Sequence, residues 1–318
     1  MTPAVWVLGN LTIDDVVLPD GTTAMGLCGG NAMYASLGAR LWDERVGLAA
    51  RIGPDYPVEH VSAVREAGVE FALVRVPSPS IHDWALYESE NVRRFINWVG
   101  SGTHLEQSIR ADELPAAISQ ASACHVAPMP LSVQTELVDK LAREGVGIVA
   151  LDPHDEYIPG HEQELLDLLR LVTLFLPSHR EAELLFGGRD PDAAARAFAA
   201  AGPKAVAIKL GADGSVVCVP GGDPVFVPAV RVRAIDPTGC GDAYCGGFVA
   251  AYQRGADPLM AACHGTVSAS FVIEARGASS LLPFDHATAR GRLEELQSGL
   301  STPAGVAGAA GGSAYAHG

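Results

Sequence analysis

Residues 234–252 read A-I-D-P-T-G-C-G-D-A-Y-C-G-G-F-V-A-A-Y, and the rest of the chain is organised around them. Asp236-Pro237 is a turn pair, Gly239-Cys240-Gly241 a glycine loop, and Asp242 opens a stretch with an apolar helical pattern. Glycine at 239 and 241 lets the backbone turn tightly and bring its N–H groups close to a ligand. At a helix N-terminus such donors, together with the helix dipole, favour an anion. A carboxylate beside an anion is electrostatically out of place unless it accepts the proton of a nucleophile attacking a phosphate. The plainer alternative is an Asp that merely caps a helix after a glycine turn.

The run D236-P-T-G-C-G-D242 resembles the C-terminal signature of the ribokinase-like, or PfkB, carbohydrate kinase family, usually Asp-Thr-Thr-Gly-Ala-Gly-Asp. Both aspartates, Thr238 and the two glycines stand in place, while Pro237 and Cys240 depart from it. A second signature lies near the other end of the chain, in G26-L-C-G-G-N-A-M-Y-A-S-L-G-A-R-L-W. It resembles the family's Gly-Gly-x-x-x-Asn, or the tighter Gly-Gly-Asn, opening a helix of small residues. Gly29 and Gly30 would let the backbone approach a sugar, and Asn31 offers both a donor and an acceptor to hydroxyls.

Composition narrows the class. A chain of 318 residues with 48% hydrophobic residues buries a large core and is not disordered as a whole. A formal charge of −15 argues against nucleic acid or an anionic membrane as the main partner. The six cysteines show no Cys-x-x-Cys and no zinc spacing, as expected of reduced thiols in a cytoplasmic protein. The N-terminus lacks a basic region before its apolar run, and no apolar run approaches the length of a membrane span.

Residues 4–8, A-V-W-V-L, form an unbroken apolar run expected to be a buried strand. Asp14 then falls just beyond the strand's end, at the sheet edge where open α/β folds bind ligands. The resemblance makes it the substrate-hydroxyl aspartate, with Asp15 beside it a solvated loop residue. Residues 16–25, around Pro-Asp-Gly, suggest a hairpin. Residues 81–100, carrying Trp84, Tyr87, Phe95 and Trp98, read as two strands around S-E-N. By resemblance these segments, about 15–27 and 81–100, form a small β-strand lid, its aromatics packing it on the body. From residue 122 onward, apolar strands alternate with helical patterns, the mark of a mostly parallel sheet between helices. The expected fold is therefore a ribokinase-like three-layer α/β domain over 1–298, with a disordered Gly/Ala-rich tail at 299–318.

Further positions follow from the resemblance. Glu181 in Pro177-Ser-His-Arg-Glu matches the glutamate of the family's Asn-x-x-Glu, which sets the magnesium environment largely through water, with Ser178 at the asparagine position. K209-L-G-A-D-G resembles the nucleotide-side Thr-x-Gly-x-x-Gly turn, with Gly211 and Gly214 in place and Lys209 able to reach a phosphate. Asp236 and Thr238 match a monovalent-cation site, which would take K+. The chain carries neither a P-loop nor a dinucleotide fingerprint after its first strand. The implied activity is phosphoryl transfer from ATP, with Mg2+, to a hydroxyl of a small sugar or sugar-like polyol. Asp242 would be the general base, and the amides of Gly239, Cys240 and Gly241 the anion hole. A nucleoside kinase of the same family and a catalytically silent sugar-binding sensor are the alternatives, and a homodimer through the lid is expected.

Overall fold

The computed structural model describes residues 2–18, 20–89 and 92–301. Val5–Leu8 (β1) is buried at every position, as a strand covered on both faces must be. The chain continues through β2 (Thr12–Val17), β3 (Thr23–Gly29), α1 (Asn31–Arg40), β4 (Val46–Ile52), α2 (Val58–Glu66) and β5 (Val69–Arg75). Then come β6 (Ile81–Ser89), β7 (Val92–Asn97), the short α3 (His104–Gln107), β8 (Ala123–Val126), α4 (Leu131–Arg143) and β9 (Ile148–Leu151). They are followed by α5 (Glu162–Leu168), β10 (Leu174–Phe175), α6 (His179–Phe186), α7 (Pro191–Ala201), β11 (Ala205–Lys209), β12 (Gly214–Cys218) and β13 (Val225–Pro228). The described part closes with α8 (Cys240–Gln253), α9 (Pro258–Val272) and α10 (His286–Ser301).

The main sheet has nine strands in the order β13-β12-β11-β10-β9-β8-β1-β4-β5. From β11 to β5 every pairing is parallel, and the edge strands β12 and β13 add antiparallel. The order reverses at β1, which lies between β4 and β8, so the crevice beyond its carboxyl end is the natural ligand site. On one face Trp6, Leu8, Phe175 and Ile208 pack under α4–α7. On the other, Val7 and Leu48 meet α1 and α2, while Ala150, Leu174 and Ala207 meet α8, α9 and α10.

The helices follow from local sequence. In α4 the buried Gln134, Leu137, Val138 and Leu141 recur at helical spacing and make one face. Asp190 and Asp257 cap α7 and α9, each followed by a Pro at the first helical position. Helix α8 is buried at every residue from Ala243 to Ala251, because it lies between the sheet, α1 and α9.

A second sheet of four strands, in the order β3-β2-β6-β7, forms the expected small lid; its outer pairs are antiparallel and its central pair, β2–β6, parallel. One face carries Thr12, Asp14, Asp83, Ala85 and Tyr87 and turns to the body; the other carries Asp15, His82 and Trp84. The expected aromatic packing of lid on body reduces to Tyr87. Trp98 instead stacks between His82 (4.5 Å) and Trp84 (5.5 Å) on the outer face, and the side chain of Phe95 lies outside the described residues.

Other boundaries shift as well. In the alternating region expected after residue 122, β10 is only Leu174–Phe175, and β13 adds an edge strand at Val225–Pro228. Helix α10 continues to Ser301, so residues 299–301 are helical, and the rest of the expected tail lies outside the described residues. No helix among the described residues is long and apolar enough to cross a membrane.

Candidate active site

Helices α1 and α8 cross at backbone contact, and this joins the two signatures. A Cβ on Gly38 would strike Ala243, and one on Gly246 would strike the carbonyl of Ala35. The crossing lays the ring of Tyr34 directly on Gly239, the N-cap of α8, which sits in the left-handed region at φ 79°. Neither a side chain nor a right-handed backbone fits there. Sequence reasoning passed over Tyr34; its only signal is a lone aromatic in an otherwise small-residue helix one turn after Gly30.

Tyr34 is 2% exposed. Burial, then Asp14, Asp236, Cys28 and Asp242 in that order, hold its hydroxyl well above the usual phenol range. The phenol is therefore within electrostatic reach of both the candidate hydroxyl-binding Asp14 and the candidate base Asp242. Burial and Asp14 likewise push the Cys28 thiol up to about 12.

Asp14 is not in a loop. It lies within lid strand β2, 6% exposed, and its Oδ1 accepts from Thr12 Oγ1 at 2.5 Å. Its carboxylate covers Gly29 so closely that no Cβ could be added there, and one on Gly30 would meet the backbone of residues 10–12. The clearance at Gly29-Gly30, expected to admit a sugar, thus also admits Asp14 and the β1–β2 connection. Asp15 is likewise no solvated loop residue. It is buried on the outer face, with Oδ1 accepting from Gly26 N–H (2.7 Å) and Oδ2 from Trp98 Nε1 (2.9 Å) and facing His82 Nε2 at 2.9 Å.

Asn31 opens α1, but its Oδ1 accepts from Asn10 N–H (2.9 Å) and its Nδ2 donates to Pro128 O (2.6 Å). It braces the loops after β1 and β8, with one amide hydrogen left over. Opposite Asp14 in the lid register is Asp83, a site residue the sequence did not single out. Its Oδ1 accepts from Asn97 Nδ2 at 2.6 Å, and burial, against the weaker pull of His82, pushes its carboxyl up to about 6.

At the first turn of α8 the Cys240 N–H donates to Pro237 O (3.2 Å) and the Ala243 N–H to Gly239 O (2.9 Å). Asp236 Oδ1 accepts from Thr238 N–H (2.9 Å) and from the lid's Tyr87 hydroxyl (2.7 Å), and its buried Oδ2 has no hydrogen-bond partner. Past β10, Ser178 and Glu181 form a capping box at the start of α6, with Ser178 N–H donating to Glu181 Oε2 at 2.6 Å. Burial, then Asp152, raise the Glu181 carboxyl above its usual range. Gly211 and Gly214 make the tight connection from β11 to β12. Lys209 ends β11, and its Nζ donates to Asp152 Oδ2 at 2.5 Å.

Ser178, Lys209 and the first turn of α8 thus lie close together past β10 and β11, while Asp14 lies in the lid sheet. The family model described as pfkB family carbohydrate kinase matches residues 20–285. The chain belongs to the pfkB family of carbohydrate kinases. It is thus a phosphotransferase of ribokinase-like fold. A cytidine kinase of Thermococcus kodakarensis is 30% identical, covering 78% of this chain and 88% of that one. A ribokinase of Haemophilus influenzae is 27% identical, over 89% of this chain and 96% of that one. Among solved structures, a candidate ribokinase II of E. coli in complex with ATP and Mg2+ superposes with a TM-score of 0.75 at 19% identity, over 93% of this chain and 100% of that one; this likeness concerns the fold.

Proposed function

We propose that the protein transfers the γ-phosphoryl group of ATP to a hydroxyl of a small, neutral sugar or sugar-like polyol. The observation that carries this reading is the packing of Tyr34, one turn after Gly30, on Gly239 at the start of α8, which brings the two glycine signatures together. Asp14, with Asn31 and the backbone of Gly29 and Gly30, binds and orients the acceptor hydroxyls. Asp242 takes the proton of the attacking hydroxyl. The amides of Gly239, Cys240 and Gly241 form the loop that receives the transferred group, the Cys240 N–H chiefly bracing it. Ser178, Lys209, Gly211 and Gly214 lie on the nucleotide side. The carboxylates of Asp14, Asp83, Asp236 and Asp242 make the acceptor side a place for neutral hydroxyl donors rather than anions.

Among the described residues no group of three or more His, Cys, Asp or Glu could hold a metal by itself. Glu181 keeps one carboxylate oxygen beyond its capping bond, which suits a water-mediated contact to magnesium. When bound with the nucleotide, magnesium neutralises phosphate charge. The unpartnered Oδ2 of Asp236, beside Thr238, suits a monovalent cation such as K+. The outer lid face, where Trp98 is 40% exposed, is where a second copy would pack.

A nucleoside acceptor is the second reading. The similarity to a cytidine kinase over 78% of the chain favours it. So does a cluster of flat rings, His104, His154 and Tyr157, at 5.6 and 5.1 Å, next to Ser108 and Asn10. A panel of sugars, polyols and nucleosides, scored by magnesium-dependent ADP release, tests both readings. ADP release with none of them would sink the acceptor assignment.

A further inference from the structure

The face of the sheet beneath α8 is apolar along its strands and charged at its end. Strand alternation places Ala150 and Asp152 on one line, and Ala205, Ala207 and Lys209 on another. The alanines pack with Phe248 and Val249 of α8. The two charged residues, one position past that core, meet each other instead. Lys209 Nζ donates to Asp152 Oδ2 at 2.5 Å and lies 3.3 Å from Cys245 Sγ, and the thiol lies 3.3 Å from the same carboxylate oxygen. Asp152 is 1% exposed, and its Oδ1 has no hydrogen-bond partner. Gln134 Nε2 donates to the Asp152 carbonyl at 2.6 Å and fixes the backbone that carries the carboxylate.

The direction of the ammonium is decisive. It lies 3.7 Å from where a Cβ on Gly241 would stand, beside the first turn of α8. A buried ion pair is poor evidence for stability, since apolar residues of similar volume commonly serve a fold as well or better. At a helix N-terminus that already favours anions, however, the ammonium end of such a pair sets its remaining N–H donors and a local positive pole beside the positive end of the helix dipole.

We propose that Asp152 is a positioning residue for phosphoryl transfer, holding the Lys209 ammonium against the first turn of α8 so that the anion-binding loop carries a permanent cation. This rests on the kinase reading above. Lys209 neither gains nor loses a proton in the reaction; it meets phosphate oxygens as a fixed charge, and Asp152 keeps it there before the nucleotide arrives. Around the pair stand Glu181 on α6, Asp242, Tyr244 and Cys245 on α8, and His125 of β8. His125 is fully buried with both ring nitrogens unpartnered, and burial followed by Lys209 pushes it down to about 3, so it stays neutral beside the lysine.

The test is Mg·ATP binding by titration calorimetry from pH 6 to pH 9, with melting curves to confirm folding. The variants are Lys209→Met, Asp152→Asn and the double substitution. Lys209→Met is expected to weaken binding about tenfold to a hundredfold at every pH. Asp152→Asn leaves the buried ammonium without its partner, so binding should already be weaker than wild type at pH 6, where the lysine is charged but no longer held, and weaken further toward pH 9, where it loses its charge. The double variant replaces both charges by neutral groups of similar size, which guards against loss of folding, and it should bind like Lys209→Met alone. If the wild type binds Mg·ATP and Lys209→Met binds equally well, the inference is overturned while the kinase reading stands. Wild-type affinity of Asp152→Asn from pH 6 to pH 9 overturns it in the same way. Failure of the wild type to bind Mg·ATP overturns the kinase reading, and this inference with it.

Discussion

The hydroxyl of Tyr87, on lid strand β6, donates to Asp236 Oδ1 at 2.7 Å and lies 2.9 Å from Thr238 Oγ1. One side chain thus ties the lid to the turn that leads into the glycine loop. Asp236 is 1% exposed, so Tyr87→Phe strips a buried carboxylate of a donor. The expected cost is about 1–3 kcal/mol. Thermal melting should show a drop of about 2–4 °C per kcal/mol, and an unchanged melting temperature would mean that the link contributes nothing.

Gly239 and Gly241 should respond differently to alanine. At 239 a methyl group meets both the left-handed φ of 79° and the Tyr34 ring, and about 2–5 kcal/mol of stability should be lost. At 241 the nearest atom is Lys209 Nζ at 3.7 Å, so the fold accepts the methyl, which then stands where phosphate oxygens would approach. Gly241→Ala should keep its melting temperature and lose Mg·ATP affinity. If both variants melt alike, the assigned difference between the two glycines is wrong.

Asp83 titrates against the fold. Its folded carboxyl is pushed up to about 6, chiefly by burial, so the folded state binds its proton more tightly than the unfolded chain does. Stability therefore falls as pH rises from about 4 to about 6, by about 2–3 kcal/mol in all. Asp83→Asn removes this dependence. Without ligand, the melting temperature of the variant relative to wild type should climb across that window. A constant difference would show that Asp83 is ionised throughout.

Asp242→Asn is expected to lower kcat by about 100- to 10,000-fold while binding of the acceptor found in the panel screen stays near wild type. Near-normal turnover would remove Asp242 from the role of base.

Asp14→Ala should weaken acceptor binding about tenfold to a hundredfold, the worth of one charge-assisted contact. Because Asp14 is buried in β2 and bonded to Thr12, the variant should also melt lower. A reduced melting temperature with an unchanged acceptor KM would mark Asp14 as purely structural.

Much of this was legible before any coordinates. The buried run at Val5–Leu8, the β–α alternation after residue 122 and the two glycine signatures announce the layers and the edge at which the site lies. What escaped are properties that depend on partners distant in sequence. Nothing local in T-I-D-D marks a strand, because acids disfavour one. Asp15 is buried only because Trp98 and Gly26 donate to it. The family resemblance pointed to Lys209, yet its meaning depends on Asp152, and no short pattern links the two. Asn31 had the right chemistry for a hydroxyl ligand, but much of its amide is engaged by Asn10 and Pro128.

The contact of Gly38 with Ala243, and of Gly246 with Ala35, sets the spacing of α1 and α8 by main chain against main chain. Side-chain turnover over evolutionary time cannot loosen such a joint, and any larger residue would force the helices apart. The two helices therefore behave as a cast part, on which Asp242 and the glycine loop ride unchanged. The lid strands, held to that part by hydrogen bonds and small side chains, are the replaceable fitting. Divergence toward a new acceptor should leave its record in β2, β3, β6 and β7, and an engineer wishing to retarget the protein should cut there first.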